Sequence, residues 1–181
     1  MIEIELADDR NAKNSRGKTR EKLMEILTHI DENGRPKMVD VGDKEDTKRV
    51  AVAKGSVYMQ KPTLDRIILG SIKKGDVLSV AQTAGIMAAK NTAYNIPMCH
   101  NIFITGVEMN FIIDEEKSAI HIEAIASTIG KTGIEMESLS AVTTAALTIY
   151  DMCKAIDRGM RITDIRLTAK SGGKSGDYRE E

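Results

Sequence analysis

Around positions 107 to 126 the chain alternates between apolar and polar residues. Val107, Met109, Phe111 and Ile113 alternate with Glu108 and Asn110, a charged stretch runs from Asp114 to Ser118, and Ile120, Ile122, Ala124 and Ala126 resume the period of two. This predicts a β-hairpin with one buried face. Upstream, the β-branched and aromatic residues Val50, Val52, Val57 and Tyr58 predict extended chain over 49–59, interrupted by Gly55. Pro62 suits the first turn of a helix that runs through Leu69 and ends at Gly70. A second helix is predicted from Asp76, as its cap, to about Lys90, with Val77, Val80, Ala81, Ala84 and Ala88 on one face. Pro97 and its polar neighbours make 91–101 a loop. The longest helical pattern covers 138–157 and is closed by Gly159. Residues 162–169 read as a last strand, and 170–181 as a tail. No repeat of 20 to 50 residues is visible. Hairpin strands separated by helices, without regular βαβ alternation, predict an α+β domain: an antiparallel sheet covered on one face by helices.

The start of the chain differs from the rest. Residues 1–37 hold eight acids and eight bases and almost no continuous apolar run, so a boundary is expected near Met38. Within that segment Leu23, Ile26, Leu27 and Ile30 recur at helical spacing, which fits either a short docking helix or a flexible arm. Nothing there has the apolar core of an export signal, and Cys99 and Cys153 are the only two cysteines, so reduced thiols in a cytoplasmic protein are expected.

Composition narrows the function classes. At 181 residues the chain suits one domain with a real core. Lys and Arg number 26 against 27 Asp and Glu, so no chain-wide basic surface exists to hold nucleic acid. Two Phe, four Tyr and no Trp leave little for stacking bases and shift packing onto aliphatic, Ala and Met side chains. No apolar run approaches the roughly 18 residues of a membrane span.

Several fragments invite chemistry. Gly130-Lys131-Thr132 and Gly173-Lys174-Ser175 imitate a P-loop, but the required earlier glycine is replaced by Ile125 and Thr168. The segment 170–176 still carries two ammonium groups among glycines and serines, which fits a triphosphate contact or a solvated tail. His100 follows Cys99 directly, a poor spacing for one metal ion. It reads either as a backbone-bonded loop histidine or as a donor to a substrate oxygen. Glu135 and Glu137 point to one side if extended and diverge by about 200° if helical; acids of a helix first turn are the plainer use. Asp151 and Lys154 share one face of an otherwise nearly apolar helix, where charges are costly unless paired or used.

Taken in order, Met38-Val39-Asp40-Val41, Lys74-Gly75-Asp76-Val77, the segment 84–90, Ile96-Pro97-Met98-Cys99-His100, the segment 130–137, the segment 145–155 and the segment 169–177 closely resemble the MoaC family, the cyclic pyranopterin monophosphate synthases of molybdenum cofactor biosynthesis. The resemblance runs from about residue 27 to 178. It leaves 1–26 as an extension without counterpart and 27–181 as a single catalytic domain with a Gly/Lys-rich tail. It implies a ferredoxin-like subunit in a homohexamer, a trimer of dimers with sites at subunit interfaces. The implied substrate is a 3′,8-cyclised dihydroguanosine triphosphate, and the implied products are cyclic pyranopterin monophosphate and diphosphate. It further implies Asp151, Lys74 and Lys154 as catalytic residues. Met98, Cys99, His100, Met136 and Glu137 match its substrate-binding segments, and Glu135, Arg49 and Lys170 match polar positions of its pocket. Lys74 has no signal apart from the resemblance. Met98 stands where the family more often has Leu, a volume-conserving exchange.

Such a reaction would use Lys and Arg against the phosphates, Lys74 and Lys154 with lowered pKa values for proton transfers, and Asp151 to orient or shuttle. The glutamates would accept N–H bonds from the guanine-like edge, with His100 on ribose or phosphate oxygens. No resident metal is implied, although Mg²⁺ can arrive with the triphosphate. The alternative is a module of the same fold that binds an anionic nucleotide without turning it over.

Overall fold

A computed structural model of the chain describes residues 31, 33–174 and 176–180; the N-terminal extension and the helical spacing from Leu23 to Ile30 lie outside them. The described residues divide into two units between Asp40 and Val41. In the first, Asp31 Oδ1 accepts the amides of Asn33 at 2.9 Å and Arg35 at 2.8 Å, a side-chain carboxylate closing a turn.

The second unit carries the fold. Its elements are β1 (Thr47–Tyr58), α1 (Lys61–Ile68), α2 (Val77–Lys90), the one-turn α3 (Thr92–Asn95), β2 (Ile104–Asp114), β3 (Ala119–Gly130), α4 (Glu135–Cys153), β4 (Arg161–Ser171) and β5 (Tyr178–Arg179). The sheet order is β2-β3-β1-β4-β5, every pair antiparallel. Strand β3 lies between β1 and β2, and β1 lies between β3 and β4, so each helical crossover skips one strand. This is the ferredoxin-like arrangement of two interleaved split βαβ units.

The alternation read from the sequence sets the two faces. Ile120, Ile122, Ala124 and Ala126 of β3 are buried, as are Ala51, Ala53 and Val57 of β1, and register pairs Val57 with Ile120 and Ala51 with Ala126. Helix α4 packs on β1, β3 and β4, and α2 packs on α4 and β2. The small side chains let these helices approach closely. A Cβ added at Gly85 would stand 3.0 Å from the Ala141 carbonyl oxygen and 2.9 Å from Met109 Cε.

Four details differ from the sequence reading. The buried stripe of α2 is Val77, Ala81, Gly85, Ala88 and Ala89, while Val80 is exposed, because the tight contact with α4 selects the smallest residue rather than the most apolar. Thr92 caps the loop after α2 into a further helical turn by donating its hydroxyl to Ala88 and Ala89 carbonyls at 3.2 and 3.1 Å. Helix α4 starts at Glu135 rather than Ser138. The C-terminal segment returns to the sheet instead of trailing off: Tyr178 pairs with Lys170 and Arg179 with Ala169. Asp76 does cap α2, accepting the amides of Leu78 at 3.0 Å and Ser79 at 3.1 Å. Among the described residues, no helix is long and apolar enough to cross a membrane.

Candidate active site

The two ends of α4 carry the candidate residues. At its C-terminal end the last carbonyl groups lack helical partners and attract cations. Lys74, from the loop between α1 and α2, donates through Nζ to the Asp151 backbone carbonyl at 2.8 Å and to its carboxylate Oδ2 at 2.8 Å. Lys154, the C-cap residue, reaches Asp151 Oδ1 at 2.7 Å. One carboxylate thus bridges two ammonium groups from different elements. All three side chains are about half exposed, so the cluster sits at the surface beside the buried Met152 and Cys153 rather than within the apolar layer.

This arrangement sets the charges. The hydrogen bond from Lys154, then that from Lys74, holds the Asp151 carboxyl down at about 2. Asp151 in turn pushes Lys154 above the ordinary lysine range. The family resemblance implies a lowered Lys154; the direction is the opposite, because a carboxylate at 2.7 Å outweighs any desolvation of an exposed amine. Asp151 is therefore a fixed anion at neutral pH, and Lys154 a cation that holds its proton more tightly than a free lysine does.

At the N-terminal end Glu135 and Glu137 are helical and diverge. Glu135 pairs with Lys170 of β4, Oε1 to Nζ 3.0 Å. Glu137 turns inward and is 3 % exposed; its Oε2 meets no hydrogen-bond donor among the described residues. Burial pushes its carboxyl up to about 7, against a hydrogen bond from its own amide, and Glu135 adds to the rise. Burial, and then the charge of Glu137, raise the Cys99 thiol. Met98, Cys99 and His100 are half-buried, and Met136 is exposed.

Arg49 acts chiefly as a strut. Its Nε donates to the Gly130 carbonyl at 2.9 Å and Nη2 to the Lys131 carbonyl at 3.1 Å, fixing the loop that delivers Glu135. Lys131 fastens the other side of that loop by donating to the Gly42 carbonyl, a role with no sequence signal. Gly172, at φ +90°, passes so close to the Lys48 carbonyl that a side chain would overlap it. Arg49, Gly133, Glu135, Lys170 and Gly172 line one small cleft.

The structure thus joins Lys74, Asp151 and Lys154, and separately Arg49, Glu135 and Lys170, with Glu137 and Cys99 behind. It does not join the two groups. Glu137 and Asp151 face within about 40° of one another on α4 but stand about 21 Å apart along its axis.

Residues 38–173 match the family model described as MoaC family, and that stretch contains every candidate residue above. The chain belongs to the MoaC family. Among MoaC relatives, it is 65% identical over 155 residues to the cyclic pyranopterin monophosphate synthase of Thermoanaerobacter sp. (strain X514), a match covering 86% of this chain and 98% of the relative. The like-named protein of Clostridium acetobutylicum is 60% identical over 156 residues, 86% of this chain and 97% of that one. That of Heliobacterium modesticaldum is 57% identical over 159 residues, 87% of this chain and all of its own. The MoaC match begins at Met38, where the composition changes.

Proposed function

We propose that this protein is a lyase that converts (8S)-3′,8-cyclo-7,8-dihydroguanosine 5′-triphosphate to cyclic pyranopterin monophosphate with release of diphosphate; its relatives' names state the product. The observation that carries the reading is the convergence of Lys74, Asp151 and Lys154, brought from separate elements to one carboxylate. Beyond capping the end of α4, the cluster gathers charges that the chemistry can use. Two ammonium groups beside one carboxylate leave a net positive site for phosphate oxygens and for charge developing on departing diphosphate. Lys154, held protonated, acts first as an acid; substrate that displaces Asp151 from it turns it toward base. Magnesium, where required, arrives on the triphosphate. The same reading assigns the reaction to the cytoplasm, where the two cysteines would stay reduced.

The purine-derived ring binds at the other station, with Glu135, Glu137 and the 98–100 loop on its edge and Lys170 and His100 toward the phosphates. Because these lie about 21 Å along α4 from Asp151, a complete site takes one station from each of two copies, in keeping with a homohexamer built as a trimer of dimers. Two measurements test this. Incubation with the cyclised nucleotide must release diphosphate, whereas a module that only binds releases none. Mixing inactive Asp151→Ala and Glu137→Ala proteins under conditions of subunit exchange must restore part of the activity; no recovery places both stations in one copy.

A further inference from the structure

Among the described residues, Glu137 is the one buried acid whose surroundings are unfinished. Asp157, equally buried, has both oxygens engaged, by the amides of Gln60 at 2.8 Å and Gly159 at 2.9 Å. Glu137 has only its own amide on one side, and its Oε2 has no donor among the described residues. A carboxylate left this way would carry an uncompensated charge in an apolar layer, a cost that proteins avoid by keeping the proton.

The charged groups around it reinforce this. Glu135, on the same helical turn, is committed to Lys170 of β4 and presents a negative neighbour. Arg49 of β1 spends its guanidinium on the Gly130 and Lys131 carbonyls. From the loop after α3 comes the Cys99 thiol, itself held protonated by burial. The acid is thus built to meet something that supplies N–H donors at Oε2. A guanine-type edge offers two neighbouring N–H groups, and an ionised carboxylate accepts both with charge assistance, which a neutral acid cannot.

We infer that Glu137 is an uncharged acid in the empty site and gives its proton to solvent when a guanine-type N–H edge docks on it, so that binding the nucleotide base releases a proton. This rests on the function proposed above. It makes Glu137 a specificity determinant as well as a contact: only a ligand bringing both donors offsets the loss of the proton.

Titration calorimetry with guanosine triphosphate in buffers of different ionisation enthalpy tests it. Wild-type protein at pH 6 should release about one more proton per site than Glu137→Gln, the difference fading by pH 8 as the acid ionises unaided. The titration of the γ-phosphate cancels in that difference. Wild-type affinity should gain about tenfold from pH 6 to 8 relative to the variant. Inosine triphosphate, lacking the exocyclic amine, should bind at least about tenfold more weakly and release less. An infrared band of a protonated carboxyl, lost when nucleotide binds, reads the same event without a variant. Equal proton release by wild type and Gln variant, with the infrared band unchanged, overturns the inference even if diphosphate release proves the enzyme active. A protein that neither turns over the cyclised nucleotide nor binds guanosine triphosphate loses the functional reading, and the inference with it.

Discussion

Lys74 Nζ lies 2.8 Å from two different oxygens of Asp151, the backbone carbonyl and the carboxylate Oδ2. One ammonium group therefore both caps the end of α4 and fixes the rotamer of the acid that Lys154 also grips.

Replacing Asp151 by Ala should cut diphosphate release at least about a hundredfold. Because the side chain is half exposed, the melting temperature should be unchanged. Lys74→Ala should match it in activity. Near-normal turnover by either variant would remove the cluster from the reaction.

Asp151 itself sets no acid limb on the activity above pH 4, since its carboxyl is held at about 2. Glu137, raised to about 7, has the opposite linkage. Its folded-state value lies above the unfolded one, so its contribution to stability is full below about pH 4.5 and lost as pH rises through 7. Without ligand, wild type should lose on the order of 3 kcal/mol over that range relative to Glu137→Gln. Parallel stability curves in denaturant titrations would contradict this.

Lys170→Ala should weaken the triphosphate by about tenfold, and more than it weakens the dephosphorylated analogue. Equal losses would assign Lys170 wholly to holding Glu135, its partner at 3.0 Å.

Arg49→Ala removes two donors from the loop carbonyls of Gly130 and Lys131 and should cost about 2 kcal/mol. Since the loop delivers Glu135 rather than the cluster of Lys74, Asp151 and Lys154, KM should rise more than kcat falls. A selective fall in kcat would make Arg49 part of the chemistry.

Asp157→Ala removes a buried side chain and the acceptors of the part-buried amides of Gln60 and Gly159, and thermal unfolding should show a loss of about 2 kcal/mol. Turnover per folded molecule should stay near wild type.

Local signals in the sequence were enough for much of the fold. The alternation around Phe111 and Ile122 fixed a hairpin and its buried face, Pro62 and Asp76 fixed two helix starts, and Asp151 with Lys154 drew notice as charges on an apolar helix. What needs two distant segments was illegible. Lys74 meets Asp151 only through the packing of α2 on α4, so its own neighbourhood reads as an ordinary loop lysine; only family resemblance singled it out. The return of Tyr178 onto Lys170 is set by a glycine turn against Lys48, a contact no local pattern announces. The unequal fates of Glu135 and Glu137 depended on whether their segment was already helical, and the acids of a first turn belong to helix as readily as to loop.

Helix α4 also works as a measuring rod. Its residue count sets how far apart its two clusters stand and which way each faces. Losing a single residue between Glu137 and Asp151 would shorten the rod by about 1.5 Å and swing its two ends about 100° out of alignment. Both clusters would survive in isolation and face different directions, so a one-codon deletion there should be far more damaging than any conservative substitution along the same stretch.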